Sequence, residues 1–195
     1  NCRLVVAGKK DAAVALDMIS LFPHDTYKGH GLRKDLAEAI AELKPKFVRF
    51  PGGCMSHGQG IDNIYHWNHT IGPLQDRKPD KNIWNYHQTR GLGFYEYFQM
   101  CEDMGAEPLP VLAAGVPCQN SRANAEGYGG QQGGIPMSEM SAYCQEILDM
   151  IEWANGDPAT SKWAKMRADA GHPAPFNLKY VGVGNEDLIS TDFED

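Results

Sequence analysis

Three short apolar runs, 47–50, 109–114 and 178–183, each come after a stretch of helical periodicity, and this alternation restricts the fold more than any other feature of the chain. Leu32, Leu36, Ile40 and Leu43 share helical spacing until Pro45 ends the pattern, and Phe47-Val48-Arg49-Phe50 follows almost at once, closed by Pro51-Gly52-Gly53. Periodicity that switches from 3.6 to a short apolar run over a few residues marks a helix feeding a buried strand. The pattern recurs. Leu92, Tyr95, Phe98 and Cys101 or Glu102 predict a helix over 92–104 that stops at Gly105, and a strand follows at 109–114. Ser138 is placed to cap a helix running to about 154, with Met140, Cys144, Ile147, Ile151 and Ala154 on one face, before Asn155-Gly156-Asp157-Pro158 breaks it. Thr160 starts a shorter helix through Trp163 and Met166, which Gly171-His172-Pro173 terminates, and the last strand is Leu178 to Val183.

Helices alternating with buried strands predict an α/β fold with a parallel sheet. Two loops, 51–90 and 115–137, are far longer than ordinary connections, and loops of that length usually carry function. A TIM barrel gathers its active site on the loops after the strands, where Arg49, Gly115 and Asn185-Glu186 would all fall. Only about half of the strands of such a barrel are predicted. Residues 1–23 differ in texture, with Val14, Leu16 and Met18 in imperfect alternation before Leu21-Phe22-Pro23, and read as a β-strand belonging to something ahead of the barrel. The Gly-rich run 127–134 lacks the Lys and Ser/Thr of a phosphate-binding loop and reads as a flexible connection.

A formal charge of −7 spread over interspersed acids argues against nucleic acid or an anionic membrane as partner and suits a neutral ligand. No run approaches the ~18 apolar residues of a membrane span, and residues 1–20 lack the layout of a signal peptide. Five cysteines, odd in number and without a C-x-x-C pair, indicate neither a disulfide scaffold nor a zinc cluster. His66 and His69 have the spacing of two metal ligands but no acidic or Cys partner nearby in sequence, so no metal is expected. Asn68-His69-Thr70 fits the N-glycosylation pattern, which is common by chance.

Glu186 is the best nominee for acid/base chemistry, because it directly follows an apolar strand and has Asn185 beside it to bind a sugar hydroxyl. Its bland alternative is an acid stabilised at a helix N-terminus. Arg49 interrupts an otherwise apolar strand, where a charge needs a partner, so it should reach a carboxylate or a ligand; a structural salt bridge is the equal alternative. Trp84, in the first long loop, either stacks on sugar or packs on the rim, and Trp67 carries the same ambiguity.

Five blocks give the chain a resemblance. Leu43-Lys44-Pro45-Lys46-Phe47-Val48-Arg49-Phe50-Pro51-Gly52-Gly53-Cys54, Thr70-Ile71-Gly72-Pro73-Leu74 and Gly91-Leu92-Gly93-Phe94-Tyr95-Glu96-Tyr97 resemble the α-L-arabinofuranosidases of glycoside hydrolase family 51. So do Cys101-Glu102-Asp103-Met104-Gly105-Ala106-Glu107-Pro108 and Asn177-Leu178-Lys179-Tyr180-Val181-Gly182-Val183-Gly184-Asn185-Glu186, in order and spacing over about 21–187. The resemblance implies a partial (β/α)8 TIM barrel over 24–195, holding about strands two to four with their helices. Residues 1–23 would then be the closing strand of a preceding carbohydrate-binding-like β-sandwich.

The same resemblance implies a retaining enzyme that removes terminal α-L-arabinofuranosyl groups from arabinan, arabinoxylan or arabino-oligosaccharides without a cofactor. Retention needs two carboxyls about 5 to 5.5 Å apart. Glu186 matches the general acid/base, whose pKa must be raised by burial and by the second carboxylate. Asn185 matches the neighbour that binds the sugar 2-hydroxyl, Arg49 the arginine that supports the carboxylates, and Cys54 a pocket-lining position where relatives carry Cys or Asn. The family nucleophile, a glutamate on the seventh strand, has no counterpart before Asp195, so this stretch by itself is expected to be inactive. Two other readings stay open: a non-catalytic carbohydrate-binding or scaffold module, and a related barrel glycosidase for another sugar. Uncovered strand edges would favour a homo-oligomer or partial unfolding, and relatives that degrade polysaccharides point to the periplasm or the exterior.

Overall fold

The computed structural model describes residues 4–17, 19–118 and 133–187. Most of residues 127–134, the Gly-rich run, lie outside them, as does Cys2. The elements are α1 (Lys34–Glu42), β1 (Phe47–Phe50), a one-turn α2 (Cys54–His57), the hairpin strands β2 (Asp80–Lys81) and β3 (His87–Gln88), α3 (Phe94–Met104), β4 (Glu107–Leu112), α4 (Met137–Asn155), α5 (Lys162–Asp169) and β5 (Gly182–Val183).

The predicted parallel sheet is present, in the order β1-β4-β5, with Phe47 opposite Glu107, Phe50 opposite Pro110 and Leu112 opposite Val183. β4 is central and is the most thoroughly buried of the three, as a strand covered on both faces must be. Its partner β5 is shorter than expected. Leu178, the expected first residue of that strand, is docked instead by Asn155, whose side chain accepts from the Leu178 N–H at 2.7 Å and donates to the Leu178 carbonyl at 2.8 Å. A side-chain amide thus stands in for a strand neighbour.

α3 starts and ends for local reasons. Glu96 reaches back to the Gly93 N–H at 2.8 Å, the Thr70 hydroxyl accepts from the Phe94 N–H at 3.0 Å, and Gly105 closes the helix at φ 67°. Gly93 must be glycine, because a Cβ there would collide with the Thr70 carbonyl. Arg77, almost wholly buried, clamps the same end through paired bonds of 2.9 and 2.8 Å to Glu96. The core behind the sheet is aromatic. Phe98 of α3 lies edge-on to Phe50 of β1 at 5.4 Å and to Trp153 of α4 at 5.3 Å, so one ring welds strand and two helices.

Several expectations need correction. Leu36 and Ile40 of α1 and the neighbouring Leu43 are exposed, and only Ala37 of that helix is buried, so the periodic face turns away from the described core. In α4 the buried face carries Tyr143, Met150, Trp153 and Ala154; of the predicted stripe Ala154 is buried and Met140 and Ile147 pack partly against the core, whereas Cys144 and Ile151 are exposed. Ser138 lies inside the first turn of α4 and Pro136 occupies the cap position. Ser161, not Thr160, caps α5, its hydroxyl accepting from the Ala164 N–H at 3.2 Å. Residues 4–17 and 19–23 form no strand among the described residues.

Candidate active site

All three parallel strands end on the same edge, and the segments that leave them meet there. β1 runs into Pro51-Gly52-Gly53 and α2; β5 runs into Gly184-Asn185-Glu186-Asp187. Arg49, on β1, donates from Nη2 to the Asn185 Oδ1 at 2.8 Å. The amide of Asn185 in turn faces Glu186, Nδ2 to Oε2 3.3 Å, and the Cys54 thiol lies 3.8 Å from the same carboxylate oxygen. Four residues nominated from sequence, Arg49, Cys54, Asn185 and Glu186, therefore form one connected chain across the strand ends.

Two glycines make that approach feasible. A Cβ at Gly53 would fall onto the Asn185 side chain, so α2 can lie this close to β5 only with glycine before it. Gly184 has φ 79°, and a side chain there would strike the Asp187 carboxylate. Glu186 itself takes a left-handed φ of 55°, unusual for a non-glycine residue.

The structure differs from expectation at three points. The Arg49 guanidinium is exposed and, among the described residues, its partner is an amide rather than a carboxylate; solvent removes the desolvation cost that demanded a salt bridge. Glu186 is likewise exposed rather than enclosed. Trp84 sits between β2 and β3, 55% exposed, and no side-chain hydrogen bond or ring contact among the described residues joins it to the chain of four. Trp67, by contrast, is a core residue: it is fully buried, donates from Nε1 to the Glu146 carbonyl at 2.8 Å and packs on Trp163 and Trp153.

The His66/His69 spacing resolves into two separate pairs. Folding supplies the acid missing from the local sequence, Glu146 of α4, 2.9 Å from His66 Nδ1, while His69 Nε2 faces the Lys78 ammonium at 3.0 Å. Burial, with His66 and Lys78 nearby, pushes the His69 imidazole below its ordinary range, so Lys78 donates to a neutral ring.

Sequence reasoning missed two residues at this edge. His57, at the end of α2, is fully buried and its Nε2 stands 3.5 Å from Asp187 Oδ1. Ser56 is also fully buried, with Oγ 3.1 Å from the Val111 carbonyl of β4 and 2.9 Å from the Gly52 carbonyl. The contacts of His57 with Asp187 and of Ser56 with Val111 join residues far apart in the chain, so no local motif announced them.

Comparison with known proteins bears on the same region. A family model described as the α-L-arabinofuranosidase 1 domain matches residues 39–194. An extracellular exo-α-L-arabinofuranosidase from Streptomyces chartreusis is 47% identical over 208 residues, covering 99% of this chain and 24% of that protein. α-L-Arabinofuranosidase 1 of Arabidopsis thaliana is 39% identical over 98% of this chain and 26% of its own length. Among solved structures, the arabinose-bound MgGH51 α-L-arabinofuranosidase superposes with a TM-score of 0.70 at 41% identity, covering 83% of this chain and 24% of that one. The Thermotoga maritima α-L-arabinofuranosidase in complex with arabinose gives 0.58 at 28% identity, over 81% and 26%. The chain thus spans about a quarter of the length of the relatives it matches.

Proposed function

We propose, for a chain that belongs to the α-L-arabinofuranosidases of glycoside hydrolase family 51, that it carries the acid/base half of a retaining active site. Glu186 protonates the leaving glycosidic oxygen while a second glutamate, contributed from outside these residues, attacks the anomeric carbon. Glu186 then takes a proton from the water that releases the covalent sugar. Asn185 binds the sugar 2-hydroxyl, Arg49 holds the Asn185 amide in the orientation that requires, and Cys54 lines the pocket. The observation that carries this reading is the unbroken chain Arg49–Asn185–Glu186–Cys54 across the ends of β1 and β5.

The parallel order β1-β4-β5 supports a partial (β/α)8 barrel, in which these are about the second, third and fourth strands. The exposed apolar run Leu4, Val5, Val6, Val14, Leu16, Leu21 and Phe22 supports reading residues 1–23 as a strand that closes a neighbouring β-sandwich once its partners are present. Substrates are terminal α-L-arabinofuranosyl groups of arabinan, arabinoxylan or arabino-oligosaccharides, and the extracellular Streptomyces relative favours secretion.

The test is Glu186→Ala in the full-length enzyme. Turnover of arabino-oligosaccharides should fall by about 10²- to 10⁴-fold, while an arabinofuranoside with a good leaving group is cleaved in the first step at near-normal rate. Unimpaired oligosaccharide turnover would refute the assignment. The 195-residue chain assayed alone on an aryl arabinofuranoside should show no turnover, since it supplies one of the two carboxyls.

A further inference from the structure

The mechanism above leaves His57 unused, although it is 0% exposed and lies at the same strand edge. Its Nδ1 is 2.6 Å from the Val116 carbonyl, and because a carbonyl only accepts, Nδ1 carries a proton. On the opposite side of the ring Nε2 has no hydrogen-bond partner among the described residues and faces Asp187 Oδ1 at 3.5 Å. The ring and the carboxylate thus face each other inside the protein, each limiting where the other can sit.

Asp187 is the residue after Glu186. Its side chain is 10% exposed and packs against Gly184, where no Cβ could be accommodated. Between the two, Glu186 holds a left-handed backbone that its surroundings must enforce. The one-turn helix α2 therefore grips the Glu186 segment twice: Cys54 at its start meets the carboxylate, and His57 at its end holds the next residue. Through Val116 and through Ser56 to Val111, the same turn is anchored to β4 and the segment that follows it.

We infer that the buried His57–Asp187 pair is a positioning device that fixes the turn 184–187 and so aims the Glu186 carboxyl at the leaving oxygen. The inference rests on the acid/base reading of Glu186 and adds the residues that hold it. A displacement of about 1 Å at a reacting group can cost on the order of 10²-fold in rate, so loss of the pair should register as weakened protonation rather than weakened binding.

The experiment uses the full-length enzyme with His57→Ala, Asp187→Ala, Asp187→Asn and, as reference, Glu186→Ala. For each, kcat/KM is measured on an arabino-oligosaccharide, which needs a proton on its leaving group, and on the 2,4-dinitrophenyl arabinofuranoside, which does not. His57→Ala and Asp187→Ala should lose roughly 10- to 100-fold on the oligosaccharide and less than about 3-fold on the dinitrophenyl substrate. Asp187→Asn, whose amide can donate to a neutral Nε2, should stay within about 3-fold of the parent on both. Equal losses on the two substrates, no loss at all, or an Asp187→Asn enzyme as impaired as Asp187→Ala would each overturn the positioning role. If His57→Ala fails to fold, as judged by circular dichroism, Asp187→Ala decides alone, because it leaves the buried ring in place. A Glu186→Ala enzyme that still processes the oligosaccharide would remove the acid/base reading itself. Leaving-group-selective loss in Glu186→Ala but not in the other variants would overturn only the positioning role.

Discussion

At the scale of single residues, the site depends on places where there is no room. Gly53 has no side chain because the Asn185 amide occupies the space a Cβ would need. Gly53→Ala should push Asn185 away from Arg49 and lower kcat/KM of the full-length enzyme by at least about 10-fold. Activity within twofold of the parent would show that Asn185 can yield without consequence. Buried titratable groups make a second prediction. Burial pushes the Cys101 thiol up to about 12 from 9.0 and the Tyr97 phenol up to about 12 from 10.0. Both are raised on folding, so their contribution is complete below pH 9 and is lost as pH climbs from 9 towards 12, where the unfolded chain ionises first. Chemical unfolding followed against pH should therefore show stability falling above pH 9. In the same range a thiol reagent should label exposed Cys144 in the folded state and spare buried Cys101. Rapid labelling of Cys101 without unfolding would contradict its burial. Arg49, Asn185 and Glu186 were nameable beforehand because each is an unusual polar residue at the end of an apolar run; His57 and Asp187 were not, since a lone histidine and an acid 130 positions apart by number carry no mutual signal.

At the scale of elements, α3 is defined by both its ends. Gly105 has φ 67°, and Gly105→Ala should cost about 1 kcal/mol through the left-handed backbone. Arg77→Ala would leave the Glu96 carboxylate and the carbonyls of Gly72 and Arg90 short of a buried donor, with an expected loss of about 3 kcal/mol in denaturant unfolding. A loss below about 1 kcal/mol would mean that water replaces the guanidinium. The stop at Gly105 was readable in sequence because the requirement for positive φ is local. The clamp from Arg77 was not, for its partners Arg90 and Glu96 lie 13 and 19 residues away. α4 makes the same point about faces: periodicity put Cys144 and Ile151 on the apolar stripe, whereas packing against Trp67 and Phe98 turned Trp153 into the core.

At the scale of the whole molecule, the described surface exposes apolar side chains that ordinary surfaces avoid in number: Leu36, Ile40, Leu43 and Phe47 along the α1–β1 stretch, and Tyr180 and Val183 at and just before β5. β1 and β5 are the edges of the sheet among the described residues. The 195-residue chain studied alone should therefore associate, appearing in light scattering above its 21.5 kDa monomer mass and binding a hydrophobic dye. A monodisperse monomer that ignores the dye would contradict this. Local sequence was enough for the alternation of helices and strands, the parallel sheet it implies and the family resemblance, because periodicity, turn residues and short motifs are written within a few neighbouring positions. Tertiary structure alone decided which helix stripe is buried, that Asn155 rather than a strand docks Leu178, and that His57 meets Asp187. Those contacts join residues distant in the chain, and a side chain's partner across such a gap is fixed only when the backbone has folded around it.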